Sequence, residues 1–414
     1  MKYGCIGEKL GHSFSKEIHT KIGDYEYELK EVVKEDLDSF MKQADFFGIN
    51  VTIPYKQSVI PYLDFVDEKA KLIGAVNTIV NRNGRLEGYN TDFDGMTALI
   101  KKMGLSLEGK EVLILGTGGT SKTALAVAKS QGAKTVTKVG RVKREGNLSY
   151  EEAYEMRGVE IIINTTPCGM FPNVQETAID VSRFPNLEGV VDAVYNPLRS
   201  HFVLEAKEQN VNAKGGLYML VSQAVAAAEH FMGHAYEREL TDRIYQDLCK
   251  KKENLVLIGM PGCGKTTFAK LLSKTLDRQW KDTDAELEKR EGKTCKAIIE
   301  EEGMEAFRKK ESEVVQELAR ENHLILATGG GAVLNPENVK ALRMNGRMVW
   351  IDRPIQDIIP TRDRPLSSNR ESLLALYKER LPIYEKSCDL RVENKGSKEE
   401  VIEKILGRLE EDRR

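Results

Sequence analysis

Six cysteines in 414 residues, none spaced as a CxxC pair, leave this chain without a disulfide framework or a zinc-ligand pattern. A reduced, cytoplasmic setting is the expectation. Long apolar runs are missing too: nothing approaches the roughly 20 residues of a membrane span, so no membrane contact is expected. The start, Met1-Lys2-Tyr3-Gly4-Cys5-Ile6, lacks an apolar h-region and a cleavage site, which argues against secretion. Charge of one sign is absent, with 62 basic and 64 acidic side chains and a formal net charge of -2, so nothing draws the chain toward nucleic acid. No internal repeat or low-complexity segment is evident. What remains is a globular mixture, 41% hydrophobic and 30% charged, in a length that exceeds one core and predicts two or three domains.

The most specific feature present is Gly259-Met260-Pro261-Gly262-Cys263-Gly264-Lys265-Thr266, directly after the apolar run Leu255-Val256-Leu257-Ile258. That is the full spacing of a phosphate loop between a strand and a helix. Backbone N–H groups from Gly262, Cys263, Gly264 and Lys265 can cradle phosphates, with Thr267 next in line on the helix. Lys265 can reach the β and γ phosphates, and the Thr266 hydroxyl can ligate Mg²⁺, so ATP with Mg²⁺ is expected. Phe268, Leu271 and Leu272 form the apolar stripe of the following helix and belong to the core. Cys263 fills a small position in the loop, although a place at a helix start would also activate a thiol toward alkylation.

The charged stretch Lys250-Lys251-Lys252-Glu253 reads as a short linker, dividing the chain into 1–249, a linker 250–253, and 254–414. Within the first part, Val112-Leu113-Ile114-Leu115 opens a strand–turn–helix unit. Glu160-Ile161-Ile162-Ile163-Asn164 and Val190-Val191-Asp192-Ala193-Val194 are further continuous apolar strands. Such runs belong in a parallel sheet covered on both faces. The fold class is therefore α/β: an N-terminal two-lobed part with a Rossmann-like lobe, and a C-terminal P-loop part with a central parallel sheet.

Gly116-Thr117-Gly118-Gly119-Thr120-Ser121 follows the first of these strands, where Gly116, Gly118, Gly119 and Thr120 would let the backbone approach a pyrophosphate at a helix N-terminus. After the next strand, Lys134 to Val139, come Gly140-Arg141-Val142-Lys143-Arg144. An NAD site would place an acid there for the ribose hydroxyls. Arg141, with Lys143 or Arg144, instead suits a 2′-phosphate, so NADP(H) is expected over NAD.

An ordered set of short motifs then resembles one family, shikimate dehydrogenase. The motifs are His12-Ser13-Phe14-Ser15, Asn50-Val51-Thr52-Ile53-Pro54-Tyr55-Lys56, Gly74-Ala75-Val76-Asn77-Thr78, Gly88-Tyr89-Asn90-Thr91-Asp92, Asn164-Thr165-Thr166-Pro167-Cys168-Gly169-Met170, Asp192-Ala193-Val194-Tyr195-Asn196-Pro197 and Gly216-Leu217-Tyr218-Met219-Leu220-Val221-Ser222-Gln223. Together they span most of residues 1–249. The resemblance implies reduction of 3-dehydroshikimate to shikimate by NADPH. It implies a substrate lobe over about 1–100 plus 218–249, an NADP lobe over about 101–217, and a helix after Gln223 that returns to the first lobe. Ser13, Ser15 and Tyr195 would meet the substrate carboxylate. Thr52, Asn77 and Gln223 would meet ring hydroxyls, and Met170 would lie at the coenzyme. Lys56 and Asp92 match the catalytic pair: an ammonium group both stabilises an alkoxide and protonates it. The chain departs from the family at Lys16, commonly proline, and at Gly140, commonly asparagine.

The second part resembles shikimate kinase through Asp282-Thr283-Asp284, Phe307-Arg308-Lys309-Lys310-Glu311, Gly329-Gly330-Gly331, Arg362-Asp363-Arg364-Pro365-Leu366 and Arg380-Leu381-Pro382-Ile383-Tyr384, in that order. The resemblance implies phosphoryl transfer from ATP to the 3-hydroxyl of shikimate. Arg308 and Arg380 would hold the carboxylate, with Glu311 locking Arg308. Asp284 would orient or deprotonate the hydroxyl, and Asp282 would act on the Mg²⁺ shell. Gly330 would let the backbone approach the ring. Arg364 would be the charge-stabilising arginine of a mobile lid over 358–371. Two motif sets thus converge on one metabolite, which the first part makes and the second consumes. The reading is a bifunctional shikimate-pathway enzyme acting on small molecules, with a homo-oligomer left open. The alternatives are a quinate-type dehydrogenase joined to another small-molecule kinase, or a metabolite-sensing regulator without catalysis.

Overall fold

The computed structural model describes residues 1–10, 14–23, 25–359 and 369–411. The chain separates into two compact units, Met1–Asp247 and Leu248–Arg414. The break falls inside a helix, Leu240–Lys252, and not in an irregular linker at 250–253. Leu240, Ile244 and Leu248 repeat every four residues along this helix, and all three are buried. The lysines that looked like linker are its last turn, where cations suit the carbonyl end of the helix.

The first unit holds two sheets. One contains β1 (Tyr3–Gly7), β2 (Tyr27–Glu31), β3 (Gly48–Val51), β4 (Phe65–Val66), β5 (Thr78–Arg82) and β6 (Arg85–Tyr89), in the order β2-β1-β3-β5-β6-β4. It is mixed: β1 runs parallel to β2 and β3, whereas β3, β5 and β6 are antiparallel. The β5–β6 hairpin closes through Asn83 and Gly84, both at positive φ, as a two-residue turn of that hand requires.

The other sheet contains β7 (Glu111–Leu115), β8 (Thr135–Val139), β9 (Ile161–Asn164), β10 (Gly189–Asp192) and β11 (Asn212–Lys214), all parallel, in the order β11-β10-β9-β7-β8. The apolar strands are buried as their continuous hydrophobicity predicts. The chain leaves β7 for β8 on one side and returns to β9 on the other. The carboxyl ends of β7 and β9 therefore form a switch point, the place where α/β sheets bind ligands.

Helix Leu217–Met232 serves both sheets. Its start, Tyr218 and Met219, packs with the core around β7 and β9, and its end, Ala227 and Phe231, packs with Cys5, Tyr27 and Val80. Gln223 lies in the middle of this helix, so the return to the first lobe begins before that residue and not after it.

In the second unit, β12 (Asn254–Ile258), β13 (Trp280–Asp282), β14 (Ile325–Ala327), β15 (Gly346–Asp352) and β16 (Leu390–Glu393) form a parallel sheet ordered β13-β14-β12-β15-β16. The glycine-rich loop leaves the central strand β12 and enters helix Lys265–Leu276.

Candidate active sites

In the first unit the site is assembled where two helices touch. Helix Thr91–Lys102 is capped by Asn90, whose side chain accepts from Phe93 N, and Asp92 sits in its first turn. Gly95 is the contact point with helix Leu217–Met232: a Cβ there would lie 2.5 Å from Met219 O and 2.9 Å from Gln223 Cβ. That approach sets Gln223 beside Thr91 and Asn77. Asn77 Oδ1 accepts from Thr91 N at 2.7 Å and from Thr78 Oγ1 at 3.1 Å, and its Nδ2 lies 3.5 Å from Gln223 Oε1. The Asn77 side-chain oxygen is thus committed to the fold, while among the described residues its amide hydrogens make only this long contact.

Lys56 Nζ donates to Asp92 Oδ2 at 2.6 Å, with side chains 27% and 16% exposed, so the pair is reachable and partly dry. Tyr55 anchors the segment before it, its hydroxyl donating to Val32 O at 2.6 Å. Thr52 is held by its N–H on Ile6 O at 2.9 Å. Ser15 begins helix Ser15–Ile22, and the preceding Phe14 meets the Tyr195 ring edge-on at 5.5 Å between centroids. Tyr195 thereby joins the serine segment from the other lobe, and burial pushes its phenol up. Ser13 lies outside the described residues.

At the switch point, Gly116 has φ +109°, and a Cβ there would lie 2.7 Å from Thr165 Oγ1, so only glycine fits. Gly118 and Gly119 are exposed, with open space where a Cβ would stand. Gly119 begins helix Gly119–Ser130, with Thr120 half-buried behind it. This bare, outward-facing backbone at a helix N-terminus fits a dinucleotide pyrophosphate. Met170 stands 38% exposed on the loop after β9. Arg141 and Arg144 are exposed, whereas Lys143 is engaged by Glu152. Of the basic side chains expected at a 2′-phosphate, Arg141 with Lys143 or Arg144, the two arginines are left uncommitted among the described residues.

In the second unit, Gly262 and Gly264 have φ +79° and +106°, which bends the loop around its own carbonyls. Lys265 is buried, its Nζ donating to Gly259 O at 2.9 Å and Met260 O at 3.0 Å. Thr266 Oγ1 donates to Asp282 Oδ2 at 2.7 Å, so the two expected Mg²⁺-side groups face each other. Thr267 is exposed on the next position of the helix. Cys263 is fully buried. A reagent cannot reach its thiol in the closed loop, which removes the expectation of facile alkylation and leaves the small-residue role.

Asp284, Glu311, Arg308 and the triple glycine form one cluster. A Cβ on Gly329 would lie 2.5 Å from Asp284 Oδ1 and 2.8 Å from Glu311 Oε1, one on Gly330 2.7 Å from Pro261 Cδ, and one on Gly331 would strike the Arg308 guanidinium. Any side chain here would displace a charged group or the phosphate loop. Arg308 Nη1 donates to the buried Glu311 at 2.7 Å. Asp284 Oδ1 is buried without a partner among the described residues, and burial, then the nearby Asp282 and Glu311 carboxylates, push this carboxyl up to about 7. Arg380 is buried, and its Nε has no partner among the described residues. A buried carboxyl oxygen and a buried guanidinium nitrogen, each without a partner among the described residues, suit an incoming polar ligand. Arg364 and the centre of the expected lid lie outside the described residues.

Two contributors show their role only in the folded contacts. Gly95 sits mid-helix, where glycine ordinarily reads as a defect. Tyr384 closes the Arg380–Tyr384 motif, but that it donates to Gly330 O at 2.5 Å, 54 residues away, is not legible from the motif.

Residues 5–79 match the family model described as the shikimate dehydrogenase substrate binding domain, and residues 261–410 match shikimate kinase. Over 264 residues the chain is 36% identical to shikimate dehydrogenase (NADP(+)) of Clostridium perfringens, covering 59% of this chain and 97% of that one. A chorismate mutase/shikimate 5-dehydrogenase fusion protein from Clostridium acetobutylicum superposes with a TM-score of 0.57 at 37% identity, covering 59% of this chain and 96% of that one. Shikimate 5-dehydrogenase from Thermus thermophilus, in complex with NADP(H) and shikimate, superposes with a TM-score of 0.54 at 27% identity, over 60% and 99% of the two chains.

Proposed function

From a chain that belongs to the shikimate dehydrogenase family and carries a shikimate kinase domain behind it, we propose a two-step enzyme: it reduces 3-dehydroshikimate to shikimate with NADPH, then phosphorylates the new hydroxyl with ATP and Mg²⁺. NADPH, bound along the Gly116–Thr120 turn, supplies the hydride. Lys56 faces the ketone oxygen, stabilises the charge that develops there and gives it a proton. Asp92 holds the ammonium group in place through the 2.6 Å contact. Asn77 and Gln223 offer amide groups to the ring hydroxyls, with Thr52, Ser15 and Tyr195 around them, and Ser13 is assigned to the substrate carboxylate. A substrate without matching hydroxyls leaves those groups unpaired, which gives the site its selectivity.

In the kinase site Arg308, locked by Glu311, and Arg380 take the carboxylate. Asp284 receives a hydrogen bond from the 3-hydroxyl and takes its proton as the oxygen attacks. Mg²⁺, when bound at Thr266 and Asp282, neutralises charge on the triphosphate. Lys265 turns from the loop carbonyls to the β and γ phosphates, and Arg364 serves the transferring group. The unpartnered Asp284 carboxyl beside the locked Arg308 carries this reading of the second site.

A coupled assay tests the whole. Given 3-dehydroshikimate, NADPH and ATP, the protein should consume one NADPH and one ATP per molecule and yield shikimate 3-phosphate. NADPH oxidation with no ATP use would refute the second activity, and turnover of quinate in preference would refute the substrate.

A further inference from the structure

The turn after β8 bears the arginines assigned above to the 2′-phosphate, and the inference drawn from it rests on that reading. The side chain of Asn147 lies inside this turn. Residues 141–146 are all exposed, yet Asn147 is only 9% exposed. Its Nδ2 donates to Val142 O at 3.2 Å and Leu148 O at 3.1 Å, and its backbone N–H donates to Arg144 O at 3.2 Å. Gly140 N donates to Leu148 O at 3.0 Å and closes the base. The chain from Gly140 to Leu148 is therefore a ring around one carboxamide.

Gly140 belongs to the same device. It is buried, and a Cβ on it would lie 2.9 Å from Asn147 Nδ2 and 3.0 Å from Thr117 Cγ2. Its φ is not among the positive values, so glycine serves here for space and not for a special backbone angle. That space is filled by the Asn147 amide on one side and by the glycine-turn residue Thr117 on the other. Gly140 thus lies between the carboxamide that holds the arginine-bearing ring and the coenzyme turn.

We propose that Asn147 is a positioning residue for coenzyme choice: it holds the Gly140–Leu148 ring in the shape that presents Arg141 and Arg144 to the 2′-phosphate of NADPH. Asn147 itself does not touch the coenzyme. A dinucleotide with a 2′-hydroxyl makes little use of guanidinium charge, so loosening the ring penalises NADPH selectively.

The test compares NADPH with NADH in the full-length protein. Asn147→Ala should raise KM for NADPH about tenfold, the scale of losing two buried amide hydrogen bonds, and leave KM for NADH within about twofold. Gly140→Ala, which dislodges the amide without removing it, should produce the same split, and it decides the matter if Asn147→Ala does not fold. Equal losses for both coenzymes, or no change for either, would overturn the inference. Arg141→Ala separates the two levels. If it abolishes the preference for NADPH while Asn147→Ala and Gly140→Ala do not, the positioning role is wrong and the phosphate reading stands. If Arg141→Ala leaves the preference intact, both fall.

Discussion

Lys56 and Asp284 are both partly buried beside carboxylates, and they have different tasks in the proposed reactions. Lys56 gives a proton to the ketone oxygen, and Asp92 holds its ammonium group at 2.6 Å. Replacing it with alanine is expected to lower dehydrogenase kcat by about 10²–10⁴-fold and leave kinase turnover unchanged, as NADPH oxidation and ATP consumption measured separately will show. Asp284 must accept a proton, and burial beside two other carboxylates raises its affinity for one, to about 7. The charged form therefore costs stability in the metal-free protein: the contribution is favourable below the ordinary carboxylate range and is lost as pH rises through about 7. Asp284→Asn should abolish phosphoryl transfer yet raise the unfolding temperature of the C-terminal unit at pH 8, readable by calorimetry. A fall in that temperature would mean the carboxylate is structurally supported.

At the scale of elements, contacts between helices and strands decide which polar groups are available. The Gly95 contact puts Gln223 beside Thr91, and Thr91 fixes Asn77. Behind this runs a buried polar chain: Tyr27 donates to Asn50 Oδ1 at 2.7 Å, and Asn50 donates to Thr78 Oγ1 at 3.1 Å. His19, from helix Ser15–Ile22, stacks on Tyr27 at 3.8 Å, and its Nδ1 lies 2.6 Å from the Tyr25 hydroxyl. Burial pushes this imidazole down from 6.5 to about 3. The unfolded chain takes up the proton first as pH falls, so the stability present above about 6.5 is lost progressively toward 3, at about 1.4 kcal/mol per pH unit. His19→Gln should flatten the acid limb of the first unit's stability curve, measured by urea unfolding from pH 7 to 4. An unchanged slope would show that other groups govern it.

At the scale of the whole molecule, the chain divides into two compact units, and the division falls within helix Leu240–Lys252. In the proposed reading, the residues assigned to each reaction come from one unit. A mixture of the Lys56→Ala and Asp284→Asn proteins should therefore convert 3-dehydroshikimate to shikimate 3-phosphate, with free shikimate passing through solution. Failure of the mixture, with each protein active in its remaining step, would require the two sites to act within one chain. The helical junction was hidden in the sequence by its own ending: three lysines in a row resemble a linker, and only the burial of Leu240, Ile244 and Leu248 reveals the stripe that orders them.

The sequence by itself determined the fold class, the two glycine-rich turns between strand and helix, and the candidate charged residues around them. Glycine spacing, apolar runs and ordered motifs are local properties, and local chemistry such as a strand–loop–helix turn is specified by neighbours in the chain. It did not determine which of those groups are free to act. That Lys143 is held by Glu152, that Cys263 is sealed, that the Asn77 side-chain oxygen is taken by Thr91 and Thr78, and that Asp284 Oδ1 has no partner among the described residues all depend on how the chain folds around them. Burial and pairing arise from packing, which no local pattern of residue types specifies, so the tertiary structure alone decided them.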